Sequence, residues 1–476
     1  MNSTYSLGSA ESPSGPARSR EDGEFTRRSR RFWVVIGTSI YLAVTFPYPI
    51  TKYVLGAILG FLYLSVLRTE MALALCFLVF AAPILDLTPR SLAIVPGLNL
   101  TSIVIGLLVI AWFHYQERNR AALAALPRQP LAMPMGFFVA SCMVAILQSA
   151  WFEKMSLYYL LQLFKDQFIG MILLLVAYKV LRTAGERAAV FKMVLVMDVL
   201  LACYSVYDYG AGVRKRSPGL IGGQPNLYGG FLAMQLPLFL ALAMTPGVKR
   251  RTKGLAVAGV IVLTQALLLT GSRGAWVGAA ASFLVVGMFA YRRAILVLAA
   301  LSLLIPSMMY GVSQSRFEML VNPITKDEEL DRSSTYRIEV WKHLPRMIDP
   351  PYIWGHGYAM APIMTMRSGL RGHRKSTHSS IITMIVQQGL VGLFLYLWIL
   401  FRLFRRARRC FLKTGNPWGK ALAAGYMGTV FALLVCDVTG ERFHAGEIMT
   451  YVWVLGGTML REEAGVAKDL SLSGEG

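Results

Sequence analysis

Apolar stretches long enough to cross a bilayer recur along the chain from Phe32 to Leu460, separated by turns that alternate between strongly basic and weakly basic. Inside a bilayer every backbone polar group must be satisfied within the protein, which leaves the helix or the closed barrel as spanning structures. A helix needs about 20 apolar residues to cross. Windows of that kind predict spans near 32–50, 53–67, 71–88, 99–115, 132–152, 158–181, 193–209, 227–245, 255–270, 275–291, 294–312, 380–401, 421–437 and 445–460. The expected fold is therefore all-α, a polytopic integral membrane protein of about 12–14 transmembrane helices. A mean hydropathy of +0.51 and 55% hydrophobic residues agree, since soluble domains average about 45–50% apolar with glycine included.

The alternation of charge gives an expected topology. Cytoplasmic turns carry an excess of Lys and Arg, and most of the 48 cations fall in turns that lie on one side when both termini are placed inside. Residues 1–31 are polar, end in Arg27-Arg28-Ser29-Arg30-Arg31 and carry no small-residue cleavage site, so they read as a disordered cytoplasmic tail rather than a secretory signal. The expected segments are that tail, spans over 32–312, an outer loop subdomain over 313–379, spans over 380–460 and a cytoplasmic tail over 461–476. The net charge of +22 would suit nucleic acid, but positive-inside topology accounts for most of it, and no nucleic-acid partner is expected. Membrane lipids are. The cysteines Cys76, Cys142, Cys203, Cys410 and Cys436 lie in or beside apolar runs without CxxC spacing, which points to neither a disulfide framework nor a thiolate metal site.

Three places on the outer side break the charge rule: Arg214-Lys215-Arg216, Arg273 within Thr270-Gly271-Ser272-Arg273-Gly274, and the loop from about Ser313 to Ser379. Cations on a translocated face work against insertion, so an anionic substrate is the economical reason for them. In the loop, Ser334 to Leu344 has helical spacing that puts Arg337, Trp341 and Leu344 on one face. Asp349-Pro350-Pro351 stops that helix. Gly355-His356-Gly357, a basic stretch from Arg367 to Lys375, and Thr377-His378-Ser379-Ser380 at the mouth of the next span follow.

At these residues the chain resembles the O-antigen ligase and O-antigen polymerase family, bacterial membrane glycosyltransferases. The motifs are Arg216-Ser217-Pro218-Gly219 running to Asn226, Thr270 to Ala275, and the loop pattern Tyr336-Arg337 to Trp341, Gly355-His356-Gly357, His378-Ser379-Ser380 and Gln388 to Leu393; together they cover roughly 210–400. One departure is Ser379, where family members often carry Asn. The resemblance implies inverting transfer of a glycan from an undecaprenyl-diphosphate-linked donor on the periplasmic face of the bacterial inner membrane. The acceptor would be another lipid-linked repeat, as in a polymerase, or lipid A-core, as in a ligase, with a chain-length regulator as a further partner of the former. It implies His378, Arg273 and Arg216 as catalytic residues, and Arg214, Asn226, Arg337, Trp341 and His356 as substrate-binding ones.

The chemistry can be stated without the family. A leaving diphosphate must be held and its charge neutralised, which suits guanidinium groups because they stay charged and grip phosphate oxygens bidentately. An imidazole such as that of His378 can take the acceptor proton near neutrality. No DxD motif or ligand-spaced His/Asp cluster is present, so a metal-independent reaction with no cofactor is expected. Each residue also has a plainer reading. Arg216 and Arg273 would anchor to lipid phosphate, His378 would cap a helix, His356 would serve a turn, and Arg337 with Trp341 would pack the loop helix. Asp86, Asp198 and Asp437 read as helix-end or paired carboxylates. A transporter or flippase is the alternative function; it calls for matching inner cations and an internal repeat, and no repeat is evident.

Overall fold

The computed structural model describes residues 25, 27–30, 32–34, 36–37, 49–86, 100–124, 126–211, 216–221, 223–308, 332–348, 352–369 and 377–472. Among them there are helices and no strands. In chain order these are α1 (Pro49–Thr69), α2 (Met71–Asp86), α3 (Leu100–Arg118), α4 (Arg120–Ala124), α5 (Ala132–Phe152), α6 (Leu157–Phe168), α7 (Met171–Val180), α8 (Ala184–Gly210), α9 (Pro225–Met244), α10 (Arg250–Thr270), α11 (Arg273–Phe289), α12 (Arg293–Met308), α13 (Arg332–Met347), α14 (Ala361–Arg367), α15 (Ser380–Lys413), α16 (Pro417–Val438) and α17 (Gly446–Leu472). Every expected span from residue 53 onward coincides with a helix or a helix pair. The first, 32–50, falls mostly outside the described residues.

Seven described helices, α3, α5, α8, α9, α10, α15 and α16, are each long and apolar enough to cross a membrane alone. The span expected as one helix over 158–181 is instead α6 and α7, bent by 46°. The break falls at Ile169-Gly170, where a Cβ on Gly170 would lie 3.3 Å from both Thr450 and Trp453 of α17. Close packing thus coincides with the hinge.

The centre of the bundle is α9 packed against α16, with α10, α11 and α8 around them. These helices approach closely because small residues face one another, the rule for helices in lipid. A Cβ on Gly425 would lie 2.6 Å from the Leu238 backbone, and one on Gly278 would lie 2.5 Å from Cys436 Sγ. Thr429 donates across the seam to the Met234 carbonyl at 2.6 Å, beside the Pro237 interruption of α9.

The two ends of the bundle differ. At one end the basic turns gather: Glu462 of α17 accepts from Arg187 Nε at 2.5 Å, from Thr414 at 2.9 Å and from Asn416 at 3.1 Å. Glu463 pairs with Arg406 at 3.0 Å. At the other end lie the C-terminus of α10, the N-termini of α11 and α15, and the described parts of the loop expected over 313–379. There α13 packs through Val340 and Met347, with Tyr336 and Leu344 alongside, onto Met360, Met364, Ile382 and Val386.

Candidate active site

The rim at that second end is built from three turns. In the first, Arg216 Nε donates to the Thr270 carbonyl at 2.7 Å and its Nη2 to Asn226 Oδ1 at 2.9 Å. The next residue, Ser217, donates its N–H to Leu269 O at 3.2 Å. Arg216 and Asn226, neighbours only through their common motif in the sequence, thus become one unit fixed to the end of α10. Arg214 lies outside the described residues.

In the second turn α10 ends on Gly271, whose left-handed φ of 59° closes the helix. Arg273 opens α11, so its charge and the partial positive charge of the helix N-terminus reinforce one another towards an anion. Two glycines of these turns sit hard against other parts of the chain. A Cβ on Gly274 would fall 2.1 Å from Thr439 Oγ1, and one on Gly219 within 2.6 Å of the Tyr228 ring. They permit contact with protein.

The third turn, 439–445 between α16 and α17, was not singled out as a unit from the sequence. Arg442 is 1% exposed and donates from Nη1 to Cys436 O at 2.8 Å and from Nη2 to Asn226 O at 3.0 Å. Its side chain runs through a slot between two glycines: a Cβ on Gly230 would meet Nε at 2.7 Å, and one on Gly440 would meet Nη1 at 1.3 Å. Asp437 is the hub beneath it. Its Oδ1 accepts from Ser380 Oγ at 2.6 Å, Arg442 N at 2.9 Å and Phe443 N at 3.1 Å, and its Oδ2 from Tyr396 at 2.7 Å. This is the helix-end carboxylate expected, but it ties the Arg442 turn to the start of α15. The available signal was the density of charge in Asp437-Val438-Thr439-Gly440-Glu441-Arg442-Phe443-His444, which is unusual between two apolar spans.

His378 stands two residues before α15, with φ of 51°. Few non-glycine residues adopt that conformation, although histidine does so more often than most. It is held on both sides. Ser379 caps α15 by accepting from Ile382 N at 3.4 Å, and donates to Asp437 O at 3.1 Å. Thr377 donates to Glu441 Oε1 at 2.9 Å, and Thr383 donates to the same oxygen at 3.0 Å. The His378 ring meets Tyr336 of α13 edge-on, with centroids 5.6 Å apart. Arg216, Asn226, Arg273 and His378 therefore lie on turns and helix ends of one rim, where Asn226, Arg442, Asp437 and Ser380 link the first turn to the start of α15.

The remaining expected site residues have other settings. Gly355-His356-Gly357 docks on a break in α15 at Gly389, where φ is 66°. His356 N donates to Val386 O at 2.8 Å and Gly357 N to Gln387 O at 3.1 Å, while Tyr358 N donates to Ala145 O of α5 at 2.9 Å. That motif's backbone clamps α15 to α5. On α13, Arg337 is half-buried, whereas Trp341 is 51% exposed and outside the packed face. The packed face runs through Tyr336, Val340, Leu344 and Met347, so of the three residues grouped by spacing only Leu344 belongs to it. His343 of α13 hydrogen-bonds Ser368 O at 2.8 Å. Further along, Arg367 pairs with Glu153 at 2.9 Å, and this partner holds the Glu153 carboxyl below its usual range. His444 Nδ1 is 3.4 Å from Ser380 Oγ, and burial pushes its imidazole below the usual histidine range.

The fold and rim define a multi-pass membrane protein with fixed arginines and a histidine at one end of a helical bundle. Residues 258–397 match the family model Wzy_C, O-Antigen ligase. That segment holds Arg273, the loop and His378, and it supports the O-antigen ligase and polymerase kinship suggested by the motifs. No curated protein matches the chain. The match supports an O-antigen ligase- or polymerase-type role in polysaccharide biosynthesis for this multi-pass membrane protein.

Proposed function

We propose that the chain transfers a glycan from an undecaprenyl-diphosphate-linked donor to a hydroxyl acceptor, with inversion and without a metal, on the periplasmic face. Arg216 and Arg273 grip the diphosphate and neutralise its developing charge, and His378 takes the acceptor proton. Asn226 sets the plane of the Arg216 guanidinium. Arg214, Arg337, Trp341 and His356 line the approach of the glycan. The observation that carries this reading is the placement of Arg216, Arg273 and His378 on adjoining turns of one rim, with Arg216 held by Thr270 O and Asn226 Oδ1. Polymerisation onto another lipid-linked repeat is the favoured outcome over transfer to lipid A-core, on the number of spans and on Ser379. Both termini lie in the cytoplasm in this scheme.

The transfer step is tested with His378→Gln. A general base needs a titratable nitrogen near the acceptor oxygen, which glutamine lacks. The expected result is loss of polymer or ligated product with accumulation of the lipid-linked donor, while His343→Gln, which removes only a bond to Ser368 O, is mild. Near-normal product from His378→Gln at normal protein level would make that histidine structural.

A further inference from the structure

A cavity of about 560 Å³ opens at the basic end of the bundle, between α1, α3 and the start of α8. It lies at the far end of α8 from Arg216, and a 27-residue helix is about 40 Å long. Its lining is graded. Leu64, Leu107 and Ile110 form the apolar part, and Arg68, Arg118 and Arg182 stand towards the helix ends. Leu64 and Ile110 are 52% and 57% exposed. Leu64 precedes Arg68 by about one helical turn, and Ile110 precedes Arg118 by about two, so apolar and cationic groups are separated along the helix axes.

The carboxylates in this cavity already have partners. Glu70 takes Arg28, and Glu186 accepts from the backbone of Arg182 at 2.6 Å and of Thr183 at 2.9 Å. Arg182 lays its guanidinium over the Tyr115 ring, 5.1 Å from the centroid, which orients the fork while leaving its charge in place. The site therefore presents three guanidinium groups beside an apolar trough whose Leu64 and Ile110 are exposed. An anionic headgroup with an acyl chain matches that order of groups, and basic pockets between transmembrane helices on the cytoplasmic side suit such lipids.

We propose that this cavity is a binding site for an anionic phospholipid of the inner leaflet, its phosphate on Arg68, Arg118 and Arg182 and one acyl chain along Leu64, Leu107 and Ile110. The site is separate from the transferase rim and does not depend on the reaction assigned there. It uses the charge on the basic turns for more than topology.

The full chain, purified in mild detergent, is tested by native mass spectrometry and thermal melting with added cardiolipin, phosphatidylglycerol, phosphatidylcholine or inorganic pyrophosphate. The expected result is retention of cardiolipin or phosphatidylglycerol and a raised melting temperature with either, neither of which phosphatidylcholine produces. Retention should be roughly a hundredfold weaker in the triple variant Arg68→Gln, Arg118→Gln, Arg182→Gln, given the attraction of each cation to anionic lipid. If the triple variant does not fold, Ile110→Trp, which fills the trough at an exposed position and leaves every charge in place, should also weaken retention. Equal binding of phosphatidylcholine, an equal effect of pyrophosphate alone, or undiminished retention in Ile110→Trp would overturn the proposal.

Discussion

Two pairs of arginines, one at each end of the bundle, rest on different partners. At the basic end Arg187 bonds Glu462 and Arg406 bonds Glu463, both carboxylates. At the rim, Arg216 and Arg442 rest on the carbonyls of Thr270, Cys436 and Asn226 and on the Asn226 side-chain oxygen. A carboxylate orients a guanidinium and cancels its charge, whereas a carbonyl orients it and lets the charge act on something else. The first arrangement suits a contact that holds helices together. The second suits a site that receives an anion.

This contrast is broken most readily at Arg273. Replacing its planar fork with a point charge in Arg273→Lys should lower turnover about 10²–10³-fold, the scale of losing one preorganised electrostatic donor, with melting temperature and protein level unchanged. Comparable turnover by Arg273→Lys in a purified assay with lipid-diphosphate donor would remove this residue from the chemistry.

The basic end should respond in the opposite way. Glu462→Ala strands Arg187, whose side chain is 13% exposed, and breaking a buried pair from one side costs about 3–5 kcal/mol. A large drop in melting temperature is expected, with unchanged turnover per folded molecule. If turnover per folded molecule fell as far as in Arg273→Lys, the two ends would not be separable.

A smaller effect sharpens the comparison at the rim itself. Gly230→Ala and Gly440→Ala each put a methyl group into the Arg442 slot, an overpacking that costs about 1–3 kcal/mol. Because Arg442 and Arg216 share Asn226, both variants should also lower turnover, by less than Arg273→Lys does. Loss of stability with full turnover, measured side by side, would show that the slot only packs.

Much of this architecture was legible from hydropathy, because span position follows from apolar length alone. The interruptions were less so. The bend between α6 and α7 falls where α17 presses on Gly170, and the break at Gly389 is filled by the Ile353–Gly355 backbone, both contacts far apart in sequence. For the site, cations on the side expected to face outward pointed to Arg216 and Arg273, and the motif resemblance pointed to His378. Neither pointed to Arg442, which is one cation in a short turn and gains its role from Asn226, 216 residues away. Spacing on α13 suggested a face containing Trp341, but the packed face is rotated to Val340 because Met360 and Met364 of the loop lie there.

The central claim is that the rim carrying Arg216, Arg273 and His378 faces the periplasm and the basic end faces the cytoplasm. It is tested most directly with single cysteines at two exposed positions, Trp341→Cys in α13 and Leu412→Cys at the end of α15, probed in intact cells with a membrane-impermeant maleimide. The chain's own cysteines are removed first. Labelling of the cysteine at 341 in intact cells, and of that at 412 only after the inner membrane is opened, is the predicted result; labelling of 412 but not 341 in intact cells would contradict it.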